Sequence, residues 1–359
     1  MSTPEHSAGI WPSHRCALLW SAALALGLFG LGQTTAAAQQ ERQALSQEPA
    51  CQSMTPAAAG GAMPINPDVI VLRWLGHTNY ELAYRGSVVL LDAYYERIPG
   101  NHAIGVAPDD LTRANAILLG HAHFDHISDA AAIATQTGAV VVGASFSSDL
   151  VRTQGVPDEQ VTTVTGTETE PIEFGGFTVL PVLGQHEDMA ALVPPGYWEA
   201  ADAAIEAVSL VPALTAVEQE RAAMIRARGS NATAIATRGT IGYLLTFENQ
   251  YRLLFVDSPG PITPAQQQLA QTLSGVDLAL LPFVGRDVGI APLVELTRLF
   301  KPGVVLLGHH DGPGLAKWSS IVPPALEMRS AVPGTLTPEP VYRAPVCINT
   351  ATKDVFIGR

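Results

Sequence analysis

His121-Ala122-His123-Phe124-Asp125-His126 follows directly on Ala116-Ile117-Leu118-Leu119 and the turn residue Gly120. The apolar run reads as a buried strand, so four ligand-type side chains crowd into the six positions just past its end. His121 and His123 alternate by two, which in an extended turn lets both imidazoles converge on one cation, while Asp125 and His126 turn towards a second. Mixed nitrogen and oxygen donors suit zinc, with iron or manganese as the other occupants. A His-rich surface loop is the bland alternative, but such loops seldom set four ligand types in six places behind a buried strand. The histidine census points the same way. Of ten histidines, eight lie beyond residue 38, and of these only His102 lies away from the end of an apolar run.

Working outwards, further candidates also sit where strands end. His186 follows the run Phe177 to Val182, Asp257 closes Arg252 to Val256 ahead of Ser258-Pro259-Gly260, and His309 and His310 follow Val304 to Leu307. A strand end holds its side chain on a rigid element, as metal geometry requires. Each also has a plainer reading: His186 as a packed residue, Asp257 as a turn former before Pro259, and Asp92, which ends Val88 to Leu91, as an ordinary strand-end aspartate. His77 either lines the pocket or caps its turn.

β-rich runs at Val69 to Trp74, Tyr80 to Tyr84 and Val88 to Asp92, split by Gly76 and by Arg85-Gly86, predict an antiparallel start. Strand, helix and strand follow at 116–119, 130–137 and 140–142, then strands at 161–164 and 177–182. Two helices are expected at 199–211 and 215–228, then a hairpin at 241–247 and 252–257. A helix at 264–273, a strand at 278–281, a helix at 292–300 and a strand at 304–307 complete the pattern. Sheet-then-helix in both halves predicts two mixed sheets face to face with helices outside, a four-layer α/β sandwich.

Before this domain, residues 1–38 have the form of an export signal: a polar stretch to Arg15, an apolar run from Cys16 to Leu31 and Ala36-Ala37-Ala38. Periplasmic or secreted location is the corresponding expectation, with no membrane span left after cleavage. Residues 39–66, rich in Gln, Ala, Gly and Pro without apolar periodicity, read as a flexible leader, and 67–359 as one large domain. The net charge is −13, and removing Glu5 and Arg15 with the signal leaves it unchanged. A surface this acidic repels phosphate backbones and anionic lipid, so nucleic acid is not an expected partner; a small-molecule substrate is. Cys51 and Cys347 either pair, in an oxidising compartment, or remain free thiols. Oligomeric state is left open.

The six-residue motif resembles that of the metallo-β-lactamase superfamily, and the likeness extends from Val69 to about Gly312. Leu72-Arg73-Trp74-Leu75-Gly76-His77 and Lys301-Pro302-Gly303-Val304-Val305-Leu306 resemble more particularly the ascorbate-phosphate lactonase and N-acylphosphatidylethanolamine phospholipase branch. The resemblance implies the αββα metallo-β-lactamase fold, with His121, His123 and His186 on one cation, Asp125, His126 and His309 on another, and Asp257 bridging. It favours His309 over His310, and gives Asp92 the task of orienting a ligand histidine through its second ring nitrogen. Two cations about 3.5 to 4 Å apart share a water and lower its pKa to roughly 7, so a bridging hydroxide is the expected nucleophile. Asp125 is the residue expected to handle a proton.

His186 and Asp257 are further apart in sequence than in the family, which implies a helical insertion at about 195–232. Its Trp198, Ile205, Val208, Val217, Met224 and Ile225 would roof an apolar substrate pocket, pack on the sheet or join two subunits. The function expected is an exported metal-dependent hydrolase acting on an ester, lactone, amide or phosphodiester. An iron-dependent redox enzyme on the same scaffold and a non-catalytic metal-binding protein are the alternatives.

Overall fold

Val69–Trp74 (β1) sends alternate side chains to opposite sides of its sheet, and both sides are covered. Ile70, Leu72 and Trp74 enter one core and Val69 and Val71 another. Ser87–Leu91 (β3) divides the same way, with Val88 and Leu90 against Val89 and Leu91. A strand buried on both faces needs an unbroken apolar run, which is why these segments lack the polar alternation of a half-exposed sheet.

The structure, a computed structural model, describes residues 39–187, 214–230, 239–284, 290–312 and 320–358. Met1–Ala44 and Leu45–Arg359 form separate compact units. Of the first, only residues 39–44 are described, and they are helical. The export-signal reading of 1–38 and the first insertion helix, 199–211, therefore lie outside the described residues.

In the larger unit, β1 and β3 join Tyr80–Tyr84 (β2), Ala116–Leu118 (β4), Val140–Gly143 (β5) and Val161–Thr163 (β6), with Pro345–Asn349 (β13) and Val355–Ile357 (β14) at the far edge. The order is β14-β13-β1-β2-β3-β4-β5-β6. Pairing is antiparallel from β14 to β3 and parallel from β3 to β6. The second sheet holds Ile172–Phe174 (β7), Phe177–Leu183 (β8), Ile241–Phe247 (β9), Arg252–Phe255 (β10), Leu278–Pro282 (β11) and Val304–Gly308 (β12) in the order β12-β11-β10-β9-β8-β7.

Between the sheets, Tyr243, Leu245, Phe255, Leu280 and Leu306 meet Ile70, Leu72 and Leu82. Outside the first sheet lie Ala130–Thr137 (α2) and Ser145–Thr153 (α3); outside the second lie Pro264–Thr272 (α5), Ala291–Phe300 (α6) and Val322–Ala331 (α7). The four-layer sandwich read from the sequence is the fold observed.

The flexible leader is a correction. Within 45–66, Leu45, Ala50, Cys51, Ala57 and Ala58 are buried in the outer core of the first sheet. Glu48 accepts from the amides of Ile65 and Asn66 at 2.9 and 3.2 Å. Glu81, fully buried on β2, accepts from the amides of Ala57 and Ala58 at 2.8 and 2.6 Å and pairs with Arg73 of β1 at 3.0 Å. Arg73 in turn donates to the carbonyls of Ala50 and Ser53. Polar bonds from two strands, rather than a periodic apolar face, hold this segment, so periodicity could not reveal it. Cys51 and Cys347 are joined, their Cα atoms 6.0 Å apart, which settles the choice between bridge and free thiols.

Replacing Cys51 and Cys347 together by Ser should destabilise the protein by about 2 to 5 kcal/mol. The measurement is the urea midpoint. An unchanged midpoint would mean that the segment around Cys51 is not part of the cooperative unit.

Candidate metal centre

Every residue of the sequence-derived ligand set lies at one edge of the sandwich, just past a strand. His121 and His123 follow β4, and Asp125 and His126 occupy the single helical turn Phe124–Ile127 (α1). His186 follows β8, Asp257 follows β10 and His309 follows β12. Asp92 follows β3, and His77 lies in the β1–β2 turn. Three groups of donor atoms result, each within 4.8 Å: His121, His123 and His186; His77, Asp125, His126 and His309; and His121, His126 and Asp257. The third group shares a histidine with each of the others, so Asp257 stands between the two.

Close contacts assign most ring nitrogens. His121 Nδ1 lies 2.5 Å from Asp257 Oδ2, leaving Nε2 facing His123 Nδ1 at 2.8 Å. His186 Nδ1 donates to the Glu187 carbonyl, leaving Nε2 as the nitrogen it can offer to the group of His121 and His123. His126 Nδ1 is 2.8 Å from Asp92 Oδ2 and 2.9 Å from the Thr78 hydroxyl, leaving Nε2 for the centre. Asp92 also accepts from the Gly120 amide at 2.9 Å, tying the motif to the end of β3. Gly120 is obligatory: a Cβ there would fall 1.9 Å from Asp257 Cγ.

Burial governs the electrostatics. It pushes the His121, His126 and His309 imidazoles well below the usual histidine range, and His123 down to about 3. Neutral imidazole is the form that binds a metal. Burial would raise the Asp125 carboxyl, but His77, His126 and His309 around it prevail and hold it well below the usual range. Asp257 is pushed up to about 7 by burial, against the opposing effect of His186 and His123.

Atoms left over show that cations fit. Among the described residues Asp257 Oδ1, His77 Nδ1 and His309 Nδ1 are buried without a hydrogen-bond partner. Each such orphan costs about 1 to 3 kcal/mol unless something binds it. A set of imidazoles and carboxylates suits zinc, iron or manganese.

His309 and His310 part company here: His309 faces Asp125, Nε2 to Oδ2 being 3.9 Å, while His310 stacks on Trp74 with ring centroids 4.8 Å apart. The sequence reading missed Thr78 and Asp311, whose hydroxyl and carboxylate carry no motif. It also left His77 between lining a pocket and capping a turn, although the structure puts it inside a donor group.

The described half of the insertion, Ala216–Ala227 (α4), bears on the three readings of its apolar residues. Ile225, with Ala222, packs on Tyr94, Ile98 and Phe124, so it covers the metal-bearing turn rather than a sheet. Val217 and Met224 are 75% and 62% exposed. Trp198, Ile205 and Val208 lie outside the described residues. Beyond α4, Arg228 pairs with Glu96 and Asp129, and the Ser230 amide donates to the Ala122 carbonyl at 2.9 Å.

Residues 88–196 match the family model described as the Beta-lactamase superfamily domain. A UPF0173 metal-dependent hydrolase of Methanopyrus kandleri is 31% identical over 134 residues, 35% of this chain and 55% of that protein. The chain thus spans about half the length of the curated relatives it matches. Among solved structures, Igni18, described as a metallo hydrolase from Ignicoccus hospitalis, shares the fold with a TM-score of 0.54 at 14% identity, covering 78% of this chain and 98% of that one. A mutant of the CmlA β-hydroxylase does so with a TM-score of 0.50 at 16% identity, covering 78% and 54%. The family match covers residues 88–196, and the fold is the one that these solved structures share.

Because Asp257 must lose its proton to bind a cation, affinity should be full above pH 7. It should fall about tenfold for each pH unit below that, per proton displaced. Zinc titrations at several pH values read the slope; a flat profile from pH 5 to 8 would contradict the assignment of Asp257. Replacing Asp92 by Ala should weaken metal binding about 10- to 100-fold, measured in the same titration.

Proposed function

We propose that this protein is an exported metal-dependent hydrolase that holds two divalent cations, zinc foremost, and cleaves an ester, lactone, amide or phosphodiester bond in a small molecule. The observation carrying this reading is the pair of donor groups joined through Asp257 at one edge of the sandwich. The relatives named metal-dependent hydrolases lend support. His121, His123 and His186 would hold one cation, Asp125, His126 and His309 the other, with Asp257 between them. Bound there, the cations would supply an ionised water near neutral pH and polarise the bond under attack.

The protein's own groups do the rest. Asp92 and Thr78 fix the tautomer and orientation of His126. Asp125, its side chain 11% exposed, is the carboxylate set to receive or return a proton. His123 and His186 are only half-buried, so substrate approaches from their side. The net charge of −13 disfavours polyanions. Among the described residues no helix is long and apolar enough to cross a membrane. Export accords with the disulfide, which persists in oxidising compartments.

The test joins metal analysis of the purified protein to a panel of chromogenic esters, lactones, amides and phosphodiesters. About two zinc per chain with chelator-sensitive turnover is expected, and His123→Ala and Asp125→Ala should each lower turnover by roughly 100-fold or more. Iron without hydrolysis would favour redox chemistry instead, and a protein that binds no metal would end the proposal.

A further inference from the structure

His77 is the one member of the donor groups that the ligand set above leaves out. Its side chain is fully buried, and Nε2 lies 2.9 Å from Asp125 Oδ2. Its ring is tilted against that of His309 with centroids 3.5 Å apart and 5.2 Å from His126. Its Nδ1 has no partner among the described residues.

Two imidazole rings gain little from such an approach, since 42° between their planes is neither stacked nor edge-on. A shared cation would account for it. The backbone also holds His77 in place. It has φ 55°, a left-handed conformation that a histidine adopts only at a cost. Its amide donates to Asp311 Oδ1 at 2.8 Å, and its carbonyl accepts from Trp74 Nε1 at 2.8 Å and from the His309 amide at 2.7 Å. Asp311 is itself fixed by Arg97 at 3.0 Å and Tyr342 at 2.6 Å. A turn merely closing a hairpin does not need three bonds on one residue's backbone and a buried ion pair behind them.

We infer that His77 is a metal ligand, completing with Asp125, His126 and His309 a four-donor site whose members are all buried. This rests on the two-cation reading above and goes beyond it by making the sites unequal. With Asp257 shared between them, the group of His77 has four further buried donors, while the other has only His121, His123 and His186, two of which are half-buried, so it is the more open of the two. Substrate therefore meets the cation at His121, His123 and His186.

The direct test uses the wild-type protein loaded with cadmium-113 and labelled with nitrogen-15 histidine, where one-bond couplings count the imidazoles on each cation. Three on each are expected, His77 appearing with His126 and His309; two on the second cation would overturn the inference. A cobalt titration of variants provides a second readout. His77→Ala should weaken the second cobalt by more than about 100-fold, beyond what loss of an outer partner costs. It should also shift that site's visible absorption and leave the first cobalt in place. His77→Gln keeps a donor for Asp125 but loses the imidazole. If Gln restores affinity to within about tenfold with an unchanged spectrum, His77 only positions Asp125, and the inference fails. A wild-type protein that takes up no cadmium or cobalt would instead remove the two-cation reading beneath it.

Discussion

Six imidazoles and three aspartates crowd one edge of the sandwich, most of them withdrawn from water, and the surroundings are arranged around that fact. Burial makes charge costly, so the imidazoles of His121, His123, His126 and His309 stay neutral, Asp257 keeps its proton to about neutrality, and Asp125 is held ionised by the rings around it. Such a cluster is either a heavy penalty or a receptor for cations. The orphaned atoms on Asp257, His77 and His309 are what a receptor leaves for its ligand.

Keeping the cluster in register demands strain and support. His77, Asp92 and His309 all have left-handed backbones, with φ 55°, 57° and 64°, each costing about 1 to 3 kcal/mol. They persist because neighbouring bonds over-determine them: Asp311 and Trp74 for His77, the His77 carbonyl for the His309 amide, and the Leu118 carbonyl for the Asp92 amide. The support comes from distant parts of the chain. Asp311 lies 234 residues from the amide it binds, and β13, whose Cys347 anchors the N-terminal segment, pairs with the strand that leads into His77. On the other flank, α4 and the Ser230 amide brace the turn carrying His123 and Asp125.

Some of this was legible in the residues alone. Apolar runs and turn residues placed β1 to β6, β8 to β12 and the helices at 130–137, 216–227, 264–272 and 291–300 to within a few residues. Less legible were α3 and α7. The Ser145–Thr153 helix mixes Ser, Asp and Arg with few apolar residues, and Val322–Ala331 carries two prolines at its start. Residues 48–59 defeated the reading for another reason: Glu81 and Arg73 grip their backbone amides and carbonyls, and such bonds leave no pattern in the residues they hold.

By itself the sequence determined which residues are candidate ligands and which strands carry them, because ligand chemistry is written in residue type and a strand end is marked by where an apolar run stops. Only the tertiary structure decided which of these meet. It brought His309 rather than His310 to Asp125, set Asp257 between two groups of donors, and turned His77 from a turn residue into a member of one of them. Those outcomes depend on the angle at which two sheets stack and on bonds between residues hundreds of positions apart. Local spacing holds no record of either.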